Sequence, residues 1–211
     1  MTRIVAGSAK GRTLAVPKSG TRPTSERVRE ALFSRLDHMN VLHGATVLDL
    51  FTGTGALGLE ALSRGAARAT LVERASTAAR VATANVRATG LPAHVVTADA
   101  RTYLAARSSD TLEGEVDLVF IDPPYDIAEE DMTEVLSGLA PWIGPDSLVL
   151  VERSTRVPPP SWPTFLVLED ARTWGETVVY FAGPPLPEEH ERGDSDGCGG
   201  APASSGEEHD R

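Results

Sequence analysis

The stretch Val47-Leu-Asp-Leu-Phe-Thr-Gly-Thr-Gly-Ala-Leu-Gly58 leaves a chain few ways to fold: a short apolar run stops at clustered glycines, and a helical pattern begins directly after them. It predicts strand, tight loop and helix. Glycines at 53 and 55 allow positive φ and put no Cβ in the way of a ligand, while Gly58 lets the helix pack close to the strand. The first N–H groups of that helix have no intrahelical partner and point into the crevice at the carboxyl end of the strand. The pattern predicts a nucleotide-type cofactor site.

By its glycines alone, Gly53-x-Gly55-x-x-Gly58 also fits a dinucleotide, with Glu73 at the end of the next apolar run, Ala69–Glu73, placed to hold a ribose. An NAD-dependent hydride transfer is therefore one reading. Asp49 argues for another, because a dinucleotide fold keeps an apolar residue at that point of the strand. A carboxylate there suits a ligand with a positive charge. S-adenosylmethionine offers an α-ammonium and a sulfonium for Asp49 and a ribose diol for Glu73. The alternative for Asp49 is a loop cap.

The 211 residues, 41% of them hydrophobic, predict one core domain with appendages. No apolar run approaches the roughly 20 residues that span a bilayer, and Met1-Thr-Arg-Ile-Val lacks the apolar core of a signal peptide, so a cytoplasmic protein is expected, with no membrane partner. Five scattered histidines and the single Cys198 show no metal-ligand spacing, so no metal is expected. The net charge of −10 is unevenly spread: residues 1–36 carry eight Lys/Arg against Glu26 and Glu30, and residues 183–211 carry eight acids against Arg192 and Arg211. A basic amino-terminal arm that can sit on phosphates is one reading of the first segment; an ordinary solvated surface is the other.

Arg3–Ala6 and Arg12–Val16 read as two short strands joined by Gly7-Ser-Ala-Lys-Gly11, a hairpin with a flexible basic tip. Residues 18–24 read as loop. Thr24 or Ser25 can cap a helix in which Val28, Ala31, Leu32 and Leu36 face the body, leaving Arg22, Arg27 and Arg29 for partners or solvent. From about residue 46, strands are expected near 46–51, 69–73, 94–98, 116–121, 147–152, 164–169 and 176–182, and helices at 56–64, 75–88, 100–107 and 128–140. This alternation predicts a parallel sheet covered on both faces. The last two strands follow each other past Val157-Pro-Pro-Pro160 without room for a full helix and should pair antiparallel. A seven-stranded, mostly parallel α/β sheet with an antiparallel terminal hairpin resembles the Rossmann-like arrangement of class I methyltransferases. The expected domain layout is 1–40, a hairpin-and-helix extension; 41–182, the cofactor-binding domain; and 183–211, too poor in apolar residues to order, an acidic tail.

The fourth strand of the sheet, Val116–Ile121, runs into Asp122-Pro-Pro-Tyr125 and so ends at the same crevice as the glycine loop. Consecutive prolines fix φ and remove two N–H donors, so the Asp122 carboxylate and the Pro123 carbonyl form an acceptor pair for an –NH₂ group, and Tyr125 offers a face on which a base can stack, worth roughly 1–3 kcal/mol. Holding both hydrogens of a conjugated amine favours the form whose lone pair can attack a sulfonium methyl.

Asp49-x-x-x-Gly53-x-Gly55, Glu73 and Asp122-Pro-Pro-Tyr125 together resemble the S-adenosylmethionine-dependent amino methyltransferases. Val96-Thr-Ala-Asp99-Ala100 is similar to their adenine site, which implies that Asp99 accepts from the adenine amino group beside Ala100; a helix cap is its other reading. Arg3-Ile-Val-Ala-Gly-x-x-Lys-Gly-Arg12, Arg22-Pro-Thr-Ser-Glu-Arg-Val-Arg-Glu-Ala-Leu-Phe33 and Leu50–Gly65 look like the bacterial RsmD-type enzymes over about residues 1–182. That resemblance implies methylation of a guanine N2 amine in small-subunit 16S ribosomal RNA, naked or within the 30S subunit or its assembly intermediate, by a monomer, with Lys10, Arg12 and Arg22 on phosphates. N6-adenine or glutamine-N5 transfer uses the same acceptor pair, and a non-catalytic RNA-binding assembly factor is the reading from a different class.

Overall fold

A computed structural model describes residues 2–16, 26–106 and 116–185. Thr24, Ser25, Arg22, Cys198 and the acidic tail beyond residue 185 lie outside the described residues. One seven-stranded sheet runs in the order β5-β4-β3-β6-β7-β9-β8, from β3 (Thr46–Leu50), β4 (Arg68–Glu73), β5 (Ala93–Thr97), β6 (Val116–Ile121), β7 (Ile143–Ser154), β8 (Val167–Trp174) and β9 (Thr177–Gly183). The first five are parallel to one another, and β9 pairs antiparallel with both β7 and β8. The expected sheet and its antiparallel end are present. The order reverses between β3 and β6, the point where open α/β sheets hold ligands.

Period-2 alternation divides the core by face. Val47, Leu118, Phe120, Leu148 and Leu150 pack on α1 (Glu26–His38), α2 (Ala56–Ser63) and α3 (Ser76–Thr89). Leu48, Leu50, Val119, Ile121, Val149 and Val151 pack on α4 (Ala100–Ala105) and α5 (Glu129–Ser137), with Trp142 filling the second core. By the same alternation Asp49 lies on the α2 face. α3 stops at Gly90, φ 68°, as its sequence predicts.

Two strands differ most from expectation, β7 at Ile143–Ser154 against 147–152 and β8 at Val167–Trp174 against 164–169. β8 starts later because the Pro163 carbonyl accepts from Leu166 N–H in a turn, carrying buried Leu166 into the second core before the strand begins. β8 is an exposed edge, so its residues show little apolar alternation to read.

The amino-terminal hairpin is smaller and more firmly held than its sequence suggests. β1 (Thr2–Arg3) and β2 (Thr13–Leu14) pair over only two residues each. Its tip is anchored, not flexible: Ser8 N–H donates to the Ser63 carbonyl at 2.7 Å and Ala9 N–H to Ser63 Oγ at 2.9 Å, both on the last turn of α2. Glu60, wholly buried on the same helix, accepts from Val5 N–H at 2.7 Å, Ala6 N–H at 3.0 Å and Arg64 Nε at 2.8 Å. Asn85 of α3 accepts from Ala15 N–H and donates to the Ala15 and Thr54 carbonyls, joining the arm to the glycine loop.

Gly7 sits where this seam is tightest. Its φ is +81°, and a Cβ there would lie 1.7 Å from the Ser63 carbonyl oxygen. Gly7→Ala is therefore expected to destabilise the chain by at least about 1–3 kcal/mol, the sum of left-handed strain and a backbone clash, measured by urea denaturation. An unchanged midpoint would mean that the arm does not seat on α2.

Candidate active site

The turn from β3 into α2 is closed by one carboxylate. Asp49 is 1% exposed, and its Oδ2 accepts from Thr52 Oγ1 at 2.6 Å and Gly58 N–H at 3.0 Å. Gly53 and Gly55 take positive φ, as expected, and a Cβ at Gly58 would meet Leu71 Cδ2 at 2.3 Å, which is why the helix approaches β4 so closely. Phe51, a residue that the sequence did not flag, also adopts positive φ, 64°, in the cavity wall. Such a backbone costs about 1–3 kcal/mol and is held by its surroundings.

Glu73, at the end of β4, accepts from Gly53 N–H at 2.9 Å through Oε2 and from Ala75 N–H at 2.8 Å through Oε1, so it pins the glycine loop from the adjacent strand. Asp99 caps α4, where Oδ1 accepts from Arg101 N–H at 3.0 Å and Thr102 N–H at 3.4 Å. Ala100 beside it is buried. Asp122 is half-buried at the end of β6, Pro123 is buried, and the Tyr125 ring is 67% exposed.

These residues meet around one cavity of about 680 Å³, lined among others by Asp49, Gly53, Glu73, Asp99, Asp122 and Tyr125, a size that suits a nucleoside-sized ligand. Ala100 and Pro123 line it too; Gly55, expected on the cofactor, does not, because the side a Cβ would occupy faces Leu71 and Leu59. Its electrostatics are those of a cation site. Burial pushes the Asp49 carboxyl up to about 7, and the charges of Asp122 and Glu73 add to that push. Asp49 Oδ1 is buried without a hydrogen-bond partner. Asp49 is thus both the loop cap and a buried acceptor short of a donor, which fits the ammonium of S-adenosylmethionine; the open space beside Gly53, where a Cβ would meet nothing within 4 Å, leaves room for the ligand.

Of the residues expected on RNA, Lys10 and Arg12 are exposed on the hairpin, and Arg12 Nη1 donates to the Ala88 carbonyl at the end of α3. Arg27 is exposed, but Arg29 is not left for solvent: it is 2% exposed and lines the cavity. The reason is α1's geometry, since Arg29 lies one turn before buried Phe33, on the face that meets Glu60. The available signal was Glu60 itself, a carboxylate among Leu57, Leu59, Ala61 and Leu62 that required buried donors.

Fold and site together define a class I methyltransferase. The family model described as Conserved hypothetical protein 95 matches residues 2–183. Ribosomal RNA small subunit methyltransferase D of Escherichia coli K12 is 36% identical over 178 residues, 83% of this chain and 86% of that protein. The enzyme of the same name from Haemophilus influenzae is 34% identical over 76% of this chain and 84% of its own length. Among solved structures, Escherichia coli yhhF superposes with a TM-score of 0.75 at 32% identity, covering 88% of this chain and 99% of that one. A hypothetical protein of Thermus thermophilus gives 0.73 at 31%, covering 86% and 98%. The chain belongs to this RsmD family of methyltransferases. Among the described residues no group of three or more metal-ligating side chains is present, and no helix is long and apolar enough to cross a membrane.

Asp49 also makes the ligand-free fold pH-sensitive. The folded carboxyl keeps its proton to about 7, whereas the unfolded chain releases it near 3.8. The fold therefore holds the extra proton between those values and loses stability as pH rises through that window. Denaturation midpoints across about pH 4 to 8 should show that fall, and Asp49→Asn should flatten it; an undiminished fall in the variant would assign it to another group.

Proposed function

We propose that this chain methylates the N2 amine of a guanine in small-subunit 16S ribosomal RNA, using S-adenosylmethionine, as a cytoplasmic monomer acting on the 30S subunit or its assembly intermediate. The observation that carries the reading is the opening of Asp122-Pro-Pro-Tyr125 onto the same cavity as Asp49 and Glu73. The substrate follows from the RsmD relatives, whose name specifies small-subunit ribosomal RNA.

When bound, S-adenosylmethionine supplies an electrophilic methyl carbon on a positively charged sulfur. The chain's residues would do the rest. Asp49 takes the ammonium through Oδ1, Glu73 the ribose diol and Asp99 the adenine amine beside Ala100, while Gly53 keeps the ligand face of the loop clear of a side chain. Asp122 and the Pro123 carbonyl accept the two hydrogens of the guanine amine, which aims the nitrogen lone pair at the methyl carbon. Asp122 is also the carboxylate to receive the proton that the methylated nitrogen sheds. Tyr125, exposed at the rim, stacks on a base taken out of its helix. Lys10 and Arg12 on the exposed face of the hairpin, with Arg22 in the same basic segment, hold phosphates.

Two measurements test this. Methyl transfer from labelled S-adenosylmethionine to 30S particles from a strain lacking the gene should place label in N2-methylguanosine; Asp122→Ala should lower the rate by at least about 100-fold and leave RNA affinity within about twofold. Label in adenine or in protein would overturn the guanine assignment. Lys10→Ala combined with Arg12→Ala should flatten the dependence of log affinity on log salt by about 1–2; an unchanged slope would remove the arm from the RNA interface.

A further inference from the structure

One buried cation in the cavity wall has no role in the reading so far, and the inference drawn from it rests on that reading of the cofactor. Arg29 is 2% exposed, and its Nη2 donates to the Arg3 carbonyl at 2.6 Å, a neutral partner. Its Nε is buried without a hydrogen-bond partner, because Glu60 Oε2 stands 3.9 Å away. Glu60 is already divided among Val5 N–H, Ala6 N–H and Arg64 Nε. Burial pushes the Arg29 guanidinium downward, against the opposing charge of Glu60. A buried cation with no carboxylate in hydrogen-bond contact is costly, and a ligand anion offsets that cost.

The same cavity wall holds the opposite imbalance. Asp49 Oδ1 is a buried carboxylate oxygen with no donor. A ligand that carries an ammonium and a carboxylate on one carbon complements both residues at once, and the methionine end of S-adenosylmethionine is such a group. We propose that Arg29 recognises the α-carboxylate of the cofactor while Asp49 takes its α-ammonium. A guanidinium also matches the O6 and N7 edge of guanine. The carboxylate is favoured because a full negative charge in hydrogen-bond contact is what Arg29 lacks, and a base edge does not bring one.

The test is calorimetric binding of the full chain to S-adenosylmethionine and to decarboxylated S-adenosylmethionine, which keeps the ammonium, sulfonium and adenosine. The unaltered protein should prefer the carboxylate-bearing ligand by about tenfold or more. Arg29→Met should erase that preference by weakening S-adenosylmethionine alone, with the decarboxylated ligand held within about threefold, and Arg29→Lys should restore part of it. Equal weakening of both ligands in Arg29→Met would make Arg29 a packing residue and overturn the proposal. So would unaltered cofactor binding with lost transfer to guanine, which would move Arg29 to the base. If Arg29→Met does not fold, the unaltered protein still decides: equal affinity for the two ligands removes the role of Arg29 alone, whereas binding of neither removes the cofactor reading itself.

Discussion

The structure depends on a carboxylate almost wholly buried in the wall of the cavity. Asp49 Oδ2 ties Thr52 and Gly58 to the end of β3, and that tie fixes both the curl of the glycine loop and the approach of α2 to the sheet. Without a bulky residue at 58 the helix can sit against Leu71, and only then does its first turn open on the crevice. The cost is a buried negative charge whose second oxygen has no donor. An unsatisfied buried acceptor is tolerated where a ligand completes it, so the loop's architecture and the charge of its ligand are one constraint.

A second buried carboxylate organises the arm. Glu60 spends its oxygens on two backbone N–H groups from the segment after β1 and on Arg64, while Ser63 takes the hairpin tip. Asn85 then bonds the far end of the hairpin and the Thr54 carbonyl through one amide. A basic segment that reads as an appendage is thereby hydrogen-bonded to the helix that opens the cofactor site and to the loop that lines it. Displacing the arm would leave several buried polar groups unpaired, each worth about 1–3 kcal/mol.

What was legible in the sequence follows from burial. β3, β4 and β6 lie inside the sheet and announce themselves as apolar runs, and the glycines between β3 and α2 encode backbone shape rather than side-chain contact. The Asp122-Pro-Pro-Tyr125 loop was placed at the cavity by strand counting alone. β8 was misplaced because an exposed edge strand can carry Glu169, Asp170 and Arg172 without penalty. Arg29 reads as surface in the sequence because periodicity sees only apolar spacing; a charged residue buried against another charged residue looks like surface in one dimension. The anchoring of the hairpin tip was invisible for the same reason, since it runs through backbone groups and Ser63.

The strand order at the far end of the sheet bears on how the chain is made. Among the described residues β8 has no sheet neighbour except β9, and β9 lies between it and β7. Because β9 comes later along the chain than either neighbour, a ribosome delivers both flanking strands before the one that joins them. Until Thr177–Gly183 emerges, the edge of β7 stays open and Val151, Tyr180 and Phe181 cannot close the core. This part of the sheet is completed by insertion after both flanking strands have been made, and during that interval the nascent chain carries an unpaired edge available to the wrong strand.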